Sequence, residues 1–153
     1  MLLMNVLFLC TGNSCRSQMA EGWARHLALD GISPFSAGTV AKGLDPRAVQ
    51  VMAEAGVDIA QQRSKTLDDL SGITFDHVIT LCGHAHETCP IFPGTTRVTH
   101  RGFDDPPKLA ENAVSEDAAL DHYRRVRDEI RAFVGELPEL LKDNMTCSTE
   151  DAG

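Results

Sequence analysis

The sequence predicts an α/β protein, a three-layer sandwich in which helices flank a four-stranded parallel sheet. Three observations carry that expectation. Short apolar runs alternate along the chain with segments of helical period. The first run, Val6 to Leu9, is apolar at every position, as a strand buried on both faces must be. The length of 153 residues suits one hydrophobic core and is too short for two. One domain is therefore expected over 1–142, followed by a polar tail over 143–153 that frays.

The elements follow in order. Val6 to Leu9 forms the first strand, ended by the turn residues Thr11, Gly12 and Asn13. Met19, Trp23 and Leu27 recur at spacing four beside Ala20, Ala24 and Ala28, a helical stripe that Gly31 closes. Pro34 to Ala37 is a second strand ending at Gly38. Pro46 to Ala55 reads as a helix with Asp45 as N-cap, Pro46 in its first position and Gly56 after its end. Phe75 to Leu81 is a third strand and Arg97 to His100 a fourth, weaker one. Ser115 caps a long last helix with Glu116 and Asp117 in its first turn. Its apolar stripe is Tyr123, Val126, Ile130, Val134 and Leu137, and Pro138 kinks or restarts it.

Composition excludes whole classes of function. Fourteen basic residues against 22 acidic ones leave a net charge of −8, which is unsuited to a nucleic-acid backbone. No run of about 18 apolar residues is present, so no membrane span is expected. The apolar start, Met1 to Leu9, carries no basic residue and runs straight into a Cys/Gly turn. It reads as a strand rather than a secretion signal, and the expected address is the cytoplasm. Thiols stay reduced there. Five cysteines (Cys10, Cys15, Cys82, Cys89 and Cys147) in a domain that needs no staples therefore point to catalysis, redox chemistry or metal binding. The size suits a monomer.

The chemistry concentrates where the first strand gives way to the first helix. Cys10 is followed by Thr11-Gly12-Asn13-Ser14-Cys15 and then by Arg16-Ser17. Ligands of open α/β sheets bind beyond the carboxyl ends of the strands. A turn entering a helix N-terminus aims several N–H groups at one point, and the helix dipole adds positive potential. Gly12 and Asn13 tolerate the left-handed conformations that such a nest needs. A tetrahedral oxyanion fits this cradle of Thr11, Gly12, Asn13, Ser14, Cys15 and Arg16, with the guanidinium gripping two of its oxygens. Cys10 lies beneath, and the same field is expected to lower its pKa toward the nucleophilic thiolate. Ser17 is expected to donate a hydrogen bond to that sulfur. A buried cysteine at a strand end and an arginine on a helix surface would give the same spacing without chemistry. The position between an apolar strand and a helix favours the chemical reading.

The run Cys10-Thr11-Gly12-Asn13-Ser14-Cys15-Arg16-Ser17 resembles the active-site loop of the low-molecular-weight protein tyrosine phosphatases, which have a flavodoxin-like fold. Ser36-Ala37-Gly38 fits the same family, and so does Asp104-Asp105-Pro106, where the aspartate before proline serves as general acid. That match favours Asp105, while the sequence alone leaves Asp104 open. Two further stretches are similar to the thioredoxin-coupled arsenate reductases of this family: Leu81-Cys82-Gly83-His84-Ala85-His86-Glu87-Thr88-Cys89-Pro90, and Gly102-Phe103-Asp104-Asp105-Pro106 with the later Tyr123-Arg124-Arg125-Val126-Arg127-Asp128-Glu129-Ile130.

The resemblance implies an enzyme that reduces arsenate to arsenite without a bound cofactor. In that scheme Cys10 attacks arsenic while Asp105 protonates the departing oxygen. Cys82 then attacks Cys10 and releases arsenite, Cys89 attacks Cys82, and thioredoxin reduces the final disulfide. Phosphate and sulfate are implied as analogues of arsenate. The alternative is a phosphomonoesterase of the tyrosine phosphatase type, and a third reading is an oxyanion-binding or redox-sensing module. A low-molecular-weight thiol in place of thioredoxin also stays open.

One consequence of that scheme is geometric. Cys82 and Cys89 are seven residues apart, which on a helix separates their Cα atoms by roughly 10 Å. A disulfide tolerates about 4.4–6.8 Å. The segment 82–95 is therefore expected to be ordered when reduced and looped out when oxidised.

Other residues have supporting roles. Asn13, Glu21 and Ser36 match positions that buttress the loop in this family, beside which some members bind potassium. Arg63-Ser64-Lys65 stands where the potassium ligands would be, so a fixed ammonium or guanidinium is expected to replace the ion beside Glu21. A zinc site on Cys82, His84, His86 and Cys89 competes for the redox segment, but its spacing lacks the paired form of structural zinc sites, and no metal is expected. Cys15 is expected to pack and Cys147 to be dispensable. His26, His77, His100 and His122 read as ordinary surface or helix residues.

Overall fold

The computed structural model describes residues 3–83, 92 and 94–142. Four strands form one parallel sheet: β1 (Met4–Cys10), β2 (Ile32–Gly38), β3 (His77–Thr80) and β4 (Arg97–His100), in the order β2-β1-β3-β4. The helices are α1 (Arg16–His26), α2 (Pro46–Glu54), the short α3 (Pro106–Ala110) and the long α4 (Glu116–Gly135). The chain turns at Glu136 and is helical again over 137–142, which is the restart expected of Pro138. No helix among the described residues is long and apolar enough to cross a membrane.

Local chemistry explains the boundaries. Asp45 caps α2 by accepting a hydrogen bond from the Arg47 N–H at 2.9 Å, and Pro46 opens the helix. Ser115 Oγ accepts from the Ala118 N–H at 3.1 Å, and Glu116 and Asp117 sit at the positive end of α4. Helix α1 ends earlier than its apolar stripe suggests. Ala28 already has a left-handed φ of 48°, ahead of Gly31 at 75°. Pro34 is tolerated inside β2 because that strand lies at the sheet edge. The short helix α3 and a 3-10 turn at Asp68–Leu70 carry no periodic signal that would predict them.

Alternation along β1 divides the core. Val6 and Phe8 face a cluster with Met19, Trp23, Met52, Tyr123 and Ile130, which joins β1 to α1, α2 and α4. Leu7 and Leu9 face the opposite cluster with Phe75, Val78 and Cys82, closed among the described residues by Phe35, Leu67, Leu70, Ile73 and Phe92. Each such side chain contributes about 1.5–3 kcal/mol when fully buried. Both clusters grip β1, so the carboxyl end of that strand is fixed from two sides.

Candidate active site

Strand β1 delivers Cys10 to its carboxyl end, in register with Gly38 of β2. A Cβ on Gly38 would collide with Asn13 N and with the carbonyls of Thr11 and Val40, so glycine is what lets the loop fold across the strand end. The loop carbonyls all turn outward. Thr11 O accepts from Val40 N, Gly12 O from Lys42 N, Ser14 O from Asp45 N and Cys15 O from Met19 N, at 2.9–3.1 Å. Asn13 O accepts from Gln18 Nε2 at 3.1 Å. Among the described residues no protein acceptor takes the N–H groups of Gly12, Asn13, Ser14 or Cys15, and these form the donor face of the nest. Asn13 is left-handed as expected, with φ of 47°, whereas Gly12 is not.

Asn13 is fully buried and holds the loop together. Its Nδ2 donates to Ser17 Oγ at 2.9 Å, and its Oδ1 accepts from Gln18 Nε2 and from the Lys65 N–H at 2.9 and 2.8 Å. Gln62 Nε2 in turn donates to Gln18 Oε1 at 2.8 Å. Tyr123 Oη donates to Asp45 Oδ2 at 2.7 Å, tying α4 to the residue whose N–H holds Ser14. These glutamines and Tyr123 escape sequence reasoning because their partners lie far along the chain.

Among the described residues Ser17 makes no hydrogen bond to the Cys10 sulfur, while its Oγ accepts from Asn13 Nδ2 at 2.9 Å. The expected thiolate is corrected as well. Cys10 Sγ lies 3.8 Å from Cys82 Sγ, well beyond the length of a disulfide bond. The contact with Cys82, followed by burial, pushes the Cys10 thiol well above the ordinary cysteine range. Arg16 and the Thr11 N–H pull it down, without prevailing. A neighbouring sulfur at the end of β3 is invisible in the loop motif. Thr11 Oγ1 lies 3.2 Å from Cys82 Sγ. Cys15 packs in the core, and burial raises its thiol first of all.

Arg16 Nη1 donates to Phe103 O at 2.8 Å, and Nη2 lies 3.6 Å from Asp105 Oδ1. Its Nε is buried and has no hydrogen-bond partner among the described residues, a donor suited to an oxyanion oxygen. A cavity of about 140 Å³ opens here, lined by Cys10, Gly12, Ser14, Arg16, Lys42 and Asp105 among others. Asp104 points elsewhere, its Oδ2 3.0 Å from Arg125 Nη2. The two aspartates left open by the sequence are thus separated by position: only Asp105 lines the cavity.

Behind the loop, Ser36 Oγ donates to Glu21 Oε1 at 2.6 Å and Arg25 Nε donates to Glu21 Oε2 at 3.0 Å. Lys65 Nζ lies 3.7 Å from Glu21 Oε1 and donates to Arg63 O at 2.8 Å. The ammonium occupies the place beside Glu21 that the sequence reserves for a fixed cation. Among the described residues no group of three or more His, Cys, Asp and Glu side chains is placed to hold a metal ion. Cys89, Cys147, His84 and His86 lie outside the described residues, as does most of the expected redox segment. His77 is not a surface residue. It is buried in β3, its Nε2 is 2.7 Å from Thr99 Oγ1, and burial lowers its pKa.

A parallel sheet that ends in an anion nest with a cysteine beneath it defines a class of phosphatase-like enzymes. The chain belongs to the low molecular weight phosphotyrosine protein phosphatase family, whose sequence profile matches residues 5–146. Its relatives narrow the placement to the arsenate reductase branch of that family. An arsenate reductase of Halalkalibacterium halodurans is 50% identical over 125 residues, 82% of this chain and 88% of that protein. One of Bacillus subtilis strain 168 is 46% identical over 137 residues, 90% of this chain and 96% of that protein. A solved arsenate reductase in its phosphate-binding state superposes with a TM-score of 0.68 at 30% identity, covering 88% of this chain and 96% of that one.

Proposed function

We propose that the chain reduces arsenate to arsenite through a relay of three cysteines regenerated by thioredoxin. The observation that carries this reading is the 3.8 Å contact between the buried sulfurs of Cys10 and Cys82, at and just past the ends of neighbouring strands. A hydrolase has no use for a second thiol there, whereas a two-electron reductant requires one.

The loop N–H groups and Arg16 bind the oxyanion, and the Cys10 thiol passes its proton to an oxygen of the incoming dianion. Cys10 then attacks arsenic, and Asp105 protonates the departing hydroxyl, which leaves as water. Arsenic is still As(V) in this adduct. Cys82, with the Thr11 hydroxyl beside it, attacks the Cys10 sulfur. The S–As bond breaks with its electron pair left on arsenic, and As(III) departs as arsenous acid after taking up protons from Cys82 and solvent. Cys10 and Cys82 have together lost two electrons and form a disulfide. Cys89 attacks Cys82 and expels the Cys10 thiolate, and a thioredoxin dithiol reduces the Cys82–Cys89 bond. Asn13, Glu21 and Ser36 brace the loop, with Lys65 serving where an ion would otherwise sit, so the dependence of activity on potassium is weak or absent.

The test is turnover with arsenate, thioredoxin, thioredoxin reductase and NADPH. Wild type oxidises NADPH continuously, while Cys82→Ser and Cys89→Ser do not sustain turnover. A protein indifferent to both substitutions that hydrolyses phosphomonoesters would be a phosphatase, and the relay would be wrong.

A further inference from the structure

We infer that Lys42 is a second cationic contact for the oxyanion, drawing the doubly charged substrate to the cradle and releasing the uncharged product. The inference rests on the reading that the cradle takes arsenate.

Lys42 sits in the loop after β2, and its N–H donates to Gly12 O at 2.9 Å. Its neighbours hold the same frame: Val40 N donates to Thr11 O, and Gly43 N to Ser64 Oγ, at 3.1 Å each. The lysine stem lies against Gly12. A Cβ built there would be 2.9, 3.1 and 3.3 Å from Lys42 Cδ, Cγ and Cβ. Glycine at position 12 therefore makes room for the arm, which lines the cavity with Cys10 and Arg16.

Charge assigns the role. The protein carries a net −8, so an anion meets general repulsion except where local cations reverse it. Arg16 and Lys42 are the cations lining the cavity, and Arg16 is partly offset by Asp105 at 3.6 Å. Among the described residues the Lys42 ammonium has no hydrogen bond or ion pair, whereas Lys65 is engaged by Glu21 and Arg63. A charge held at a rim without a partner is free to meet a guest. Arsenate and phosphate share charge and shape, so Lys42 serves both equally; arsenous acid is neutral at pH 7 and gains nothing from it. The residue therefore sorts by charge, favouring entry of substrate over retention of product.

The test uses the reduced full chain, with inorganic phosphate as the binding probe and arsenate as substrate. Methionine at position 42 keeps the stem and removes the charge. In Lys42→Met the phosphate Kd and the arsenate KM rise together by about 5-fold at low ionic strength, while kcat falls less than about twofold. The difference from wild type shrinks as salt rises, and Lys42→Arg restores both constants. An unchanged phosphate Kd in Lys42→Met, a weakening that salt does not reduce, or a Lys42→Arg protein as weak as Lys42→Met would each overturn the assignment. A wild type that binds phosphate but leaves arsenate unreduced would defeat the proposed function and leave the binding test of Lys42 intact.

Discussion

Replacing Lys65 by methionine removes the ammonium from Glu21 and keeps the aliphatic stem. The pair is well buried, with side chains 14% and 7% exposed, and its charges are 3.7 Å apart. At an effective dielectric constant of about 20 the attraction is roughly 4 kcal/mol before desolvation. Desolvation of the ammonium offsets part of this, and Arg25 and Ser36 go on serving the carboxylate. The bond from Lys65 Nζ to Arg63 O is also lost. The expected net loss is about 2 kcal/mol, which lowers Tm by about 4–8 °C in a domain of this size. Calorimetry of reduced protein at equal ionic strength in potassium and sodium chloride measures both the loss and the indifference to the ion. The variant should melt lower in either salt, and wild type should melt at one temperature in both. A wild-type Tm or kcat/KM that climbs with potassium and not with sodium would show that an ion still works there. A variant whose Tm falls by less than about 1 °C would show that the ammonium contributes little.

Three other outcomes follow from the site. Asp105→Asn should lower kcat by about 10²–10⁴, while Asp104→Asn, which loses only an exposed contact to Arg125, stays within about threefold; equal losses would remove the assignment. Cys82→Ala removes the leading cause that raises the Cys10 thiol. A lower pKa means more thiolate at neutral pH, so the pH midpoint of Cys10 alkylation, followed by mass spectrometry of its peptide, should move down. A midpoint that stays or rises would show that Cys82 is not what holds the Cys10 proton. Amide hydrogen exchange over residues 82–95 should be faster in the oxidised protein than in the reduced one, and equal protection in the two states would count against a segment that loops out.

Elements with a local signature were legible in the sequence. Val6 to Leu9, the Asp45-Pro46 and Ser115 caps, and Arg97 to His100 all carry their information within a few residues. The cradle was legible for the same reason, since a strand, a turn and a helix start succeed each other over eight positions from Cys10 to Ser17. What failed depended on partners distant in sequence. The Cys10 thiol is set by a sulfur 72 positions away. Ser17 Oγ accepts from Asn13, and Asn13 is itself held by the N–H of Lys65, 52 positions further on. Lys42 reaches the cavity because β2 lies beside β1, a fact of sheet order rather than of spacing. His77 looked peripheral because one histidine in an apolar strand carries no sign of the threonine waiting across on β4.

Strands β1 and β3 run in the same direction as immediate neighbours, so their tips finish side by side whatever happens elsewhere in the chain. In the proposed relay, this adjacency lets the first handover between Cys10 and Cys82 proceed with no hinge. The same adjacency is a liability in air. Under the proposed relay, two sulfurs held 3.8 Å apart need only an oxidant to join, so a reducing buffer is the condition under which the protein should be handled.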